Sequence, residues 1–337
     1  MRFPAALTAA ERGLARAAAQ PRWMQPMLAT LTGRRFSDAD WIFEPKLDGV
    51  RCLAFRRDAE VELFSRNRIP ARSAYPEIAD ALAREKQKRF VLDGEIVAFR
   101  DGLTSFEELQ KRMKRDPGRE RLAEVPVFYY VFDVLYLAGH DLTRLPLLSR
   151  KRILREAFAL KAPLAYVTHV EKEGERYYRE ACSRRWEGLI AKRAASAYVA
   201  RRSPDWLKFK CVNAQEFVIG GFTPPQGARA GFGALLLGYY EDGALRYAGK
   251  VGTGYDDRTL ESLGRRLLSL RAASPPFDAA SRGALPKTAR WVRPLLVAEV
   301  AFTEWTRDGR LRHPSFKGLR RDKPAREVVR EAPAARS

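Results

Sequence analysis

Hydrophobic and polar positions change rhythm several times along this chain, and each change marks an element. Short runs of alternating or continuous apolar residues, bounded by turn residues, predict strands over 41–43, 52–55, 61–64, 90–99, 127–137 and 188–192. Helical spacing of apolar residues predicts helices over 76–86, 105–113, 149–158 and 174–185. These strands do not alternate strictly with helices. That argues against a doubly wound parallel sheet and for an α+β architecture of mixed or antiparallel sheets with helices. After Cys211 the texture changes. Short strands over 216–222, 233–240, 245–251 and 296–303 are separated by turns such as TPPQG at 223–227 and EDG at 241–243, with one helix over 258–270. Several short strands with one helix suit a small β-barrel of the OB type. The chain therefore divides into an N-terminal arm at 1–23 (a short helix or a frayed segment), a first domain at 24–213, a C-terminal barrel domain at 214–325 and a charged, mobile tail at 326–337. The join at 212–215 is the hinge candidate.

Composition narrows the partners. The 337 residues carry 62 basic and 41 acidic side chains, a formal net charge of +21. Such a surplus, spread along the whole chain, points to a nucleic-acid partner, because displacing counterions from phosphates drives binding. A well-solvated Arg-rich surface is the plainer alternative. No apolar run reaches membrane-spanning length, and no long basic amphipathic helix suggests a membrane surface. Cys52, Cys182 and Cys211 are far apart without CxxC spacing, so a reduced compartment and no zinc site are expected. His140, His169 and His313 do not cluster. The expected location is the cytoplasm.

Seven segments carry chemistry. KLDGVR at 46–51 sets a lysine beside an acid, a turn glycine and an arginine. A lysine held rigidly and partly desolvated on a turn becomes a nucleophile; otherwise it is a solvated turn residue. FSRNR at 64–68 follows a strand and reads alone as a turn. VLDGEIVAF at 91–99 holds Asp93 and Glu95, carboxylates suited to a ribose hydroxyl or Mg²⁺, or simply to a charged turn. In YYVFDVLY at 129–136, Phe132 is either a core aromatic or a stacking surface for a purine. WEGLIAKR at 186–193 places Glu187, a metal candidate, at the entry of an apolar strand. In DWLKFKC at 205–211, Lys208 and Lys210 alternate with Leu207 and Phe209, so a strand sends both lysines to one face. Two ammonium groups on one face suit a phosphate chain between them, or guard a sheet edge. RHPSFKGLRRDKP at 312–324 is a dense basic cluster anchored by Phe316 and Leu319.

Taken in this order, the segments resemble the ATP-dependent DNA ligases of the covalent nucleotidyltransferase superfamily, over nearly the whole chain from 27 to 325. FEPKLDG at 43–49, SFEELQKR at 105–112, WLKFKC at 206–211 and YAGKVGTGY at 247–255 look most like the ligase domain of bacterial DNA ligase D, an enzyme of non-homologous end joining, here standing alone. The resemblance implies a nucleotidyltransferase (adenylation) domain followed by an OB-fold domain. It implies that neutral Lys46 attacks the α-phosphorus of ATP to give lysyl-AMP, that a nick 5′-phosphate takes the adenylate as AppDNA, and that the 3′-hydroxyl then displaces AMP. Residue by residue, Glu44 would lie near the adenine edge and Phe132 would stack on adenine. Arg51 and Arg66 would contact ribose and phosphates, Glu95 the ribose or the metal, and Glu187 would hold Mg²⁺, with Mn²⁺ as a substitute. Lys208 and Lys210 would bind the α-phosphate, Lys208 also helping to depress the Lys46 pKa. Arg320, Asp322 and Lys323 would orient the leaving pyrophosphate. Implied partners are nicked or broken duplex DNA, with Ku and a separate repair polymerase as candidates, for a nucleoid-associated monomer. An RNA ligase, an mRNA capping enzyme and a non-catalytic DNA-end-binding protein are the competing readings.

Overall fold

The computed structural model describes residues 7–112, 124–211, 213–225 and 231–331. The chain divides into two compact units, the first running to Cys211 and the second Val212–Glu331. The first unit opens on helix α1 (Ala9–Leu14) and runs on through β1 (Leu28–Leu31), β2 (Trp41–Pro45), β3 (Val50–Arg57), β4 (Glu60–Ser65), α2 (Pro76–Arg84), β5 (Arg89–Arg100), α3 (Phe106–Gln110), β6 (Val127–Leu137), α4 (Leu147–Ala157), β7 (Val170–Glu171), α5 (Gly174–Ser183), β8 (Gly188–Arg193) and β9 (Arg202–Lys210).

Two sheets result. In one, β6, β5, β3 and β4 lie side by side and antiparallel. In the other the order is β7–β2–β8–β9–β1, antiparallel except for the β9–β1 pair. The period of two along each strand sorts side chains between cores. Cys52 and Ala54 of β3, with Leu92, Ile96 and Ala98 of β5, enter a core shared with α2, α3 and α4. Their neighbours Leu53, Phe55 and Val91 enter a second core with Met27, Phe132, Tyr198 and Trp206. Trp41, Phe43, Leu189, Ala191 and Phe209 of the other sheet pack on Tyr177 and Ala181 of α5. Each fully buried Leu or Phe contributes about 1.5–3 kcal/mol. The alternate residues of β2, β8 and β9 lie on the opposite face of their sheet, and that parity places the site.

Several expectations are corrected here. Of the two states expected for the arm at 1–23, the short helix is the one formed, and it is docked, not frayed, from Thr8 onward. Thr8 and Glu11 form a capping box at the start of α1, Glu11 bonds Ser149 and Arg152 of α4, and the Gln20 amide donates to the carbonyls of Arg56 and Phe90 at 3.0 Å each. The helix expected over 105–113 is shorter, Phe106–Gln110, capped by Ser105; Met113 lies outside the described residues. The separate, reduced cysteines are not what the fold builds: Cys182 and Cys211 form a disulfide, with Cα atoms 5.3 Å apart, and Cys52 is buried and free. Packing of α5 on β9 unites two residues that sequence spacing keeps apart.

The second unit contains β10 (Asn213–Phe222), β11 (Leu235–Glu241), β12 (Ala244–Val251), α6 (Asp257–Ser269), β13 (Arg290–Phe302) and β14 (Ser315–Arg320). Strands pair antiparallel in the order β12–β11–β10–β13–β14. Among the described residues this path is open and does not close into a ring. Phe217, Ile219, Leu235, Leu237 and Ala248 share its core with Leu260, Leu263 and Leu267 of α6. The last two residues of the turn expected at 223–227 lie outside the described residues, as does Val212 of the hinge candidate. Asn213, Ala214 and Gln215 of that candidate pair with β13 as part of β10, so the ladder holds them. The tail expected to be mobile from 326 is instead docked as far as Glu331. Val328 is fully buried, its carbonyl accepts from the Tyr240 N–H at 2.7 Å, and the Gln215 amide donates to the Val329 carbonyl at 3.1 Å; residues 332–337 lie outside the described residues. Among the described residues, no helix is long and apolar enough to cross a membrane.

Candidate active site

Pro45 ends β2, and the next N–H, that of Lys46, donates to the Gly188 carbonyl of β8 at 2.9 Å. That bond sets Lys46 against the strand whose preceding residue is Glu187. The Lys46 ammonium and Glu187 carboxylate form an ion pair, with side chains 19% and 14% exposed. Two glycines make the approach possible. Gly188 has φ +146°, and a Cβ there would lie 1.9 Å from the Phe209 carbonyl oxygen. A Cβ on Gly49 would lie 2.2 Å from the Ile96 carbonyl oxygen. Register lines up the remaining groups. Ile190 stands opposite Glu44 of β2 on one side and Lys208 of β9 on the other, and Gly188 stands opposite Lys210. Lys208 and Lys210 therefore share a face with Glu44, beside Lys46.

Below this row lies a buried charge cluster. Glu44 is 2% exposed and accepts from Lys151 of α4 and from Lys192 of β8, the latter at 2.5 Å. Burial alone would raise the Glu44 carboxyl, but the two ammonium charges hold it below the usual carboxylate range. Burial pushes Lys192 down to about 8, with Glu44 opposing and Lys151 adding to the shift. The Lys192 ammonium also stands over the rings of Phe132 and Trp206, 4.2 and 4.0 Å from their centroids.

The other sheet supplies Arg51, Glu95, Phe132 and Arg66. Arg51 and Glu95 are opposite one another on β3 and β5. The Arg51 guanidinium grips fully buried Asp93 with two hydrogen bonds, at 2.5 and 2.7 Å, and lies 4.5 Å from the Phe132 centroid. Asp93 also accepts from the Tyr198 hydroxyl at 2.6 Å, and that hydroxyl accepts the Met27 N–H at 2.9 Å. Phe132 sits where β6 carries one extra residue, since Asp93 pairs with Asp133 and Gly94 with Val131. Such a bulge re-aims a side chain, here into the core that holds Trp206. Phe132 is 8% exposed. Arg66, half-buried, follows the Cys52–Ser65 pair at the same end of the sheet as Arg51.

Arg320, Asp322 and Lys323 belong to the second unit. There Arg320 binds Asp322 through two hydrogen bonds, at 2.9 and 2.8 Å, and Glu299 at 3.0 Å; Lys323 pairs with Glu216 at 3.2 Å. Glu216 and Glu299 are opposite one another on β10 and β13, a like-charge pair that these two cations offset.

Sequence reading assigned no role to Lys151, Lys192 or Tyr198, and it offered Asp93 for a ribose hydroxyl or Mg²⁺ where the fold buries that carboxylate against Arg51 and Tyr198. The alternation Gly188, Ile190, Lys192 was a usable signal for Lys192. Lys151 comes from a helix remote in sequence, and no local pattern pointed to it.

Two facing sheets thus bring together a lysine–glutamate pair, tandem lysines and a buried acid–base cluster. Residues 26–210 match the family model described as the ATP dependent DNA ligase domain, and residues 228–323 match the ATP dependent DNA ligase C terminal region. The chain belongs to the ATP-dependent DNA ligase family. It is 38% identical over 320 residues to the multifunctional non-homologous end joining protein LigD of Pseudomonas aeruginosa, covering 93% of this chain and 37% of that protein. With LigD of Mycobacterium tuberculosis it shares 39% over 315 residues, covering 91% of this chain and 40% of that protein. The chain thus spans about two fifths of the length of these curated relatives. Among solved structures, mycobacterial DNA ligase D complexed with ATP and MES matches with a TM-score of 0.65 and 36% identity, over 91% of this chain and 98% of that one.

Proposed function

We propose that this chain is an ATP-dependent DNA ligase that seals nicks or broken ends in duplex DNA, in repair of the non-homologous end-joining type. The observation that carries the reading is the Lys46–Glu187 pair, with Lys208 and Lys210 on the adjoining strand. In the proposed mechanism Glu187 and the backbone bond to Gly188 hold Lys46 in place. Its amine, once neutral, attacks the α-phosphorus of ATP and pyrophosphate leaves. Lys208 and Lys210 neutralise charge that builds on phosphate oxygens. Arg51, fixed by Asp93, faces the sugar and phosphates, and Glu44 faces the adenine edge. Phe132 offers its ring to adenine. The nick 5′-phosphate then takes the adenylate, and the 3′-hydroxyl displaces AMP.

Glu187 and Glu95 suit Mg²⁺, which is bound by one or two carboxylates together with water and substrate phosphates. When bound, the ion would neutralise phosphate charge and orient the leaving group. The second unit is read as the OB-type domain, and its Arg320, Asp322 and Lys323 as the residues that orient the leaving pyrophosphate. Ku and a separate repair polymerase are the proposed partners.

Self-adenylylation tests the reading. Protein incubated with α-labelled ATP and Mg²⁺ should carry label through a denaturing gel, the Lys46→Ala variant should carry none, and the labelled protein should seal nicked DNA faster than nicked RNA. Absence of label on wild type, with Mn²⁺ also tried and pre-adenylylated protein excluded, would overturn it.

A further inference from the structure

We propose that Cys182 and Cys211 form a reversible oxidation site, closed by peroxide and opened by cellular thiols. Cys182 lies in the last turn of α5, and Cys211 follows directly on β9. Other bonds hold the same two places together. One helical turn before Cys182, the Tyr178 hydroxyl donates to the Lys210 carbonyl at 3.0 Å. The Arg35 guanidinium donates to that carbonyl at 3.2 Å. The Cys211 N–H donates to the Glu187 carbonyl at 3.0 Å, and the Trp186 N–H to the Ala181 carbonyl at 2.9 Å. These contacts keep the two sulfurs in reach when the bond between them is broken, so it can re-form.

Access differs among the three cysteines. Cys182 and Cys211 are half-buried, whereas Cys52 is 1% exposed. A small oxidant reaches the first two and not the third. One thiolate attacks hydrogen peroxide, giving a sulfenic acid and hydroxide. The second thiol displaces the sulfenic oxygen as water, and the sulfurs join. Two glutathione molecules return the electrons and leave as glutathione disulfide. The role rests on the proposed function, because a DNA-sealing enzyme works where the thiol pool is reducing and disulfides are transient or redox-sensing.

Placement gives the bond a consequence. It closes a segment of sequence separation 29 that contains Glu187, Lys208 and Lys210. It also fixes the last residue of the first unit, where the chain passes into the second. Oxidation should therefore restrain the segment that carries Glu187, Lys208 and Lys210 and slow multiple-turnover nick sealing.

The experiment is thiol labelling of the full chain by mass spectrometry, with sealing rates beside it. Reduced native protein should take two labels, at Cys182 and Cys211. Peroxide-treated protein should take none, and millimolar glutathione should restore both. Multiple-turnover sealing should fall about fivefold on oxidation, and Cys182→Ser should be insensitive to peroxide. Independent labelling after peroxide, or a bond that glutathione leaves intact, would overturn the reversible pair. Equal sealing rates in both states would overturn its regulatory role. Labelling requires no ligase activity, so failure of the proposed function would be seen separately.

Discussion

At Glu44 two ammonium groups, those of Lys151 and Lys192, close on one buried carboxylate. Glu44→Gln leaves both cations buried without a counter-charge, which costs about 3–5 kcal/mol. Urea denaturation should show that loss; a loss under about 1 kcal/mol would place the cluster with solvated surface pairs. Both groups titrate lower in the fold than in the unfolded chain, so both titrations give stability that rises with pH, in separate windows. Glu44 is held below the usual carboxylate range despite its burial, so its stabilisation is present above that range and disappears as pH falls through the lower folded value. Lys192 is pushed down to about 8 by burial. Between that pH and the usual lysine value the unfolded chain binds the extra proton, so this group's contribution to stability grows with pH. Thermal melts from about pH 7 to about pH 10 should show an alkaline rise that Lys192→Met removes. A rise of equal size in the variant would assign it elsewhere.

The β8–β9 pair is the element that assembles the site, and Gly188 is where it would break. Its φ of +146° and a Cβ position 1.9 Å from the Phe209 carbonyl oxygen leave no room for a side chain. Gly188→Ala should cost about 3 kcal/mol or more and abolish self-adenylylation, because Glu187 and Lys210 flank the displaced backbone. A variant that melts and labels like wild type would contradict this. Much of this pair was legible in the sequence. Alternation in WLKFKC put Lys208 and Lys210 on one face, and register keeps them there. Turn residues and apolar runs likewise located most strands of both sheets. What stayed hidden depends on contacts between remote elements. The reach of Lys151 from α4, the Asp93–Tyr198 bond across 105 residues and the union of Cys182 with Cys211 have no local signature. The tail failed differently: its charged composition read as mobile, but Val328 buries one apolar side chain and anchors the backbone around it.

For the whole molecule, the surplus of 62 basic over 41 acidic side chains outweighs any single contact. Many of the acids are already paired: Glu216 and Glu299 hold Lys323 and Arg320, Asp93 holds Arg51, and Glu44 holds two lysines. Pairing within the fold consumes acids and bases together, so the net charge of +21 remains for an external polyanion. Duplex DNA supplies one, and each phosphate neutralised releases condensed counterions. If roughly 6–10 phosphates are contacted, affinity for a nicked duplex should fall by about 10³–10⁵ between about 50 and about 200 mM salt, linearly on a double-logarithmic plot. Fluorescence anisotropy across that range measures the slope directly. Self-adenylylation over the same range should respond far less, since the pocket that holds Glu44 and Lys192 is buried and screened little by salt. A flat binding curve would mean that the basic surface does not hold the DNA, and that affinity arises from contacts at the nick itself.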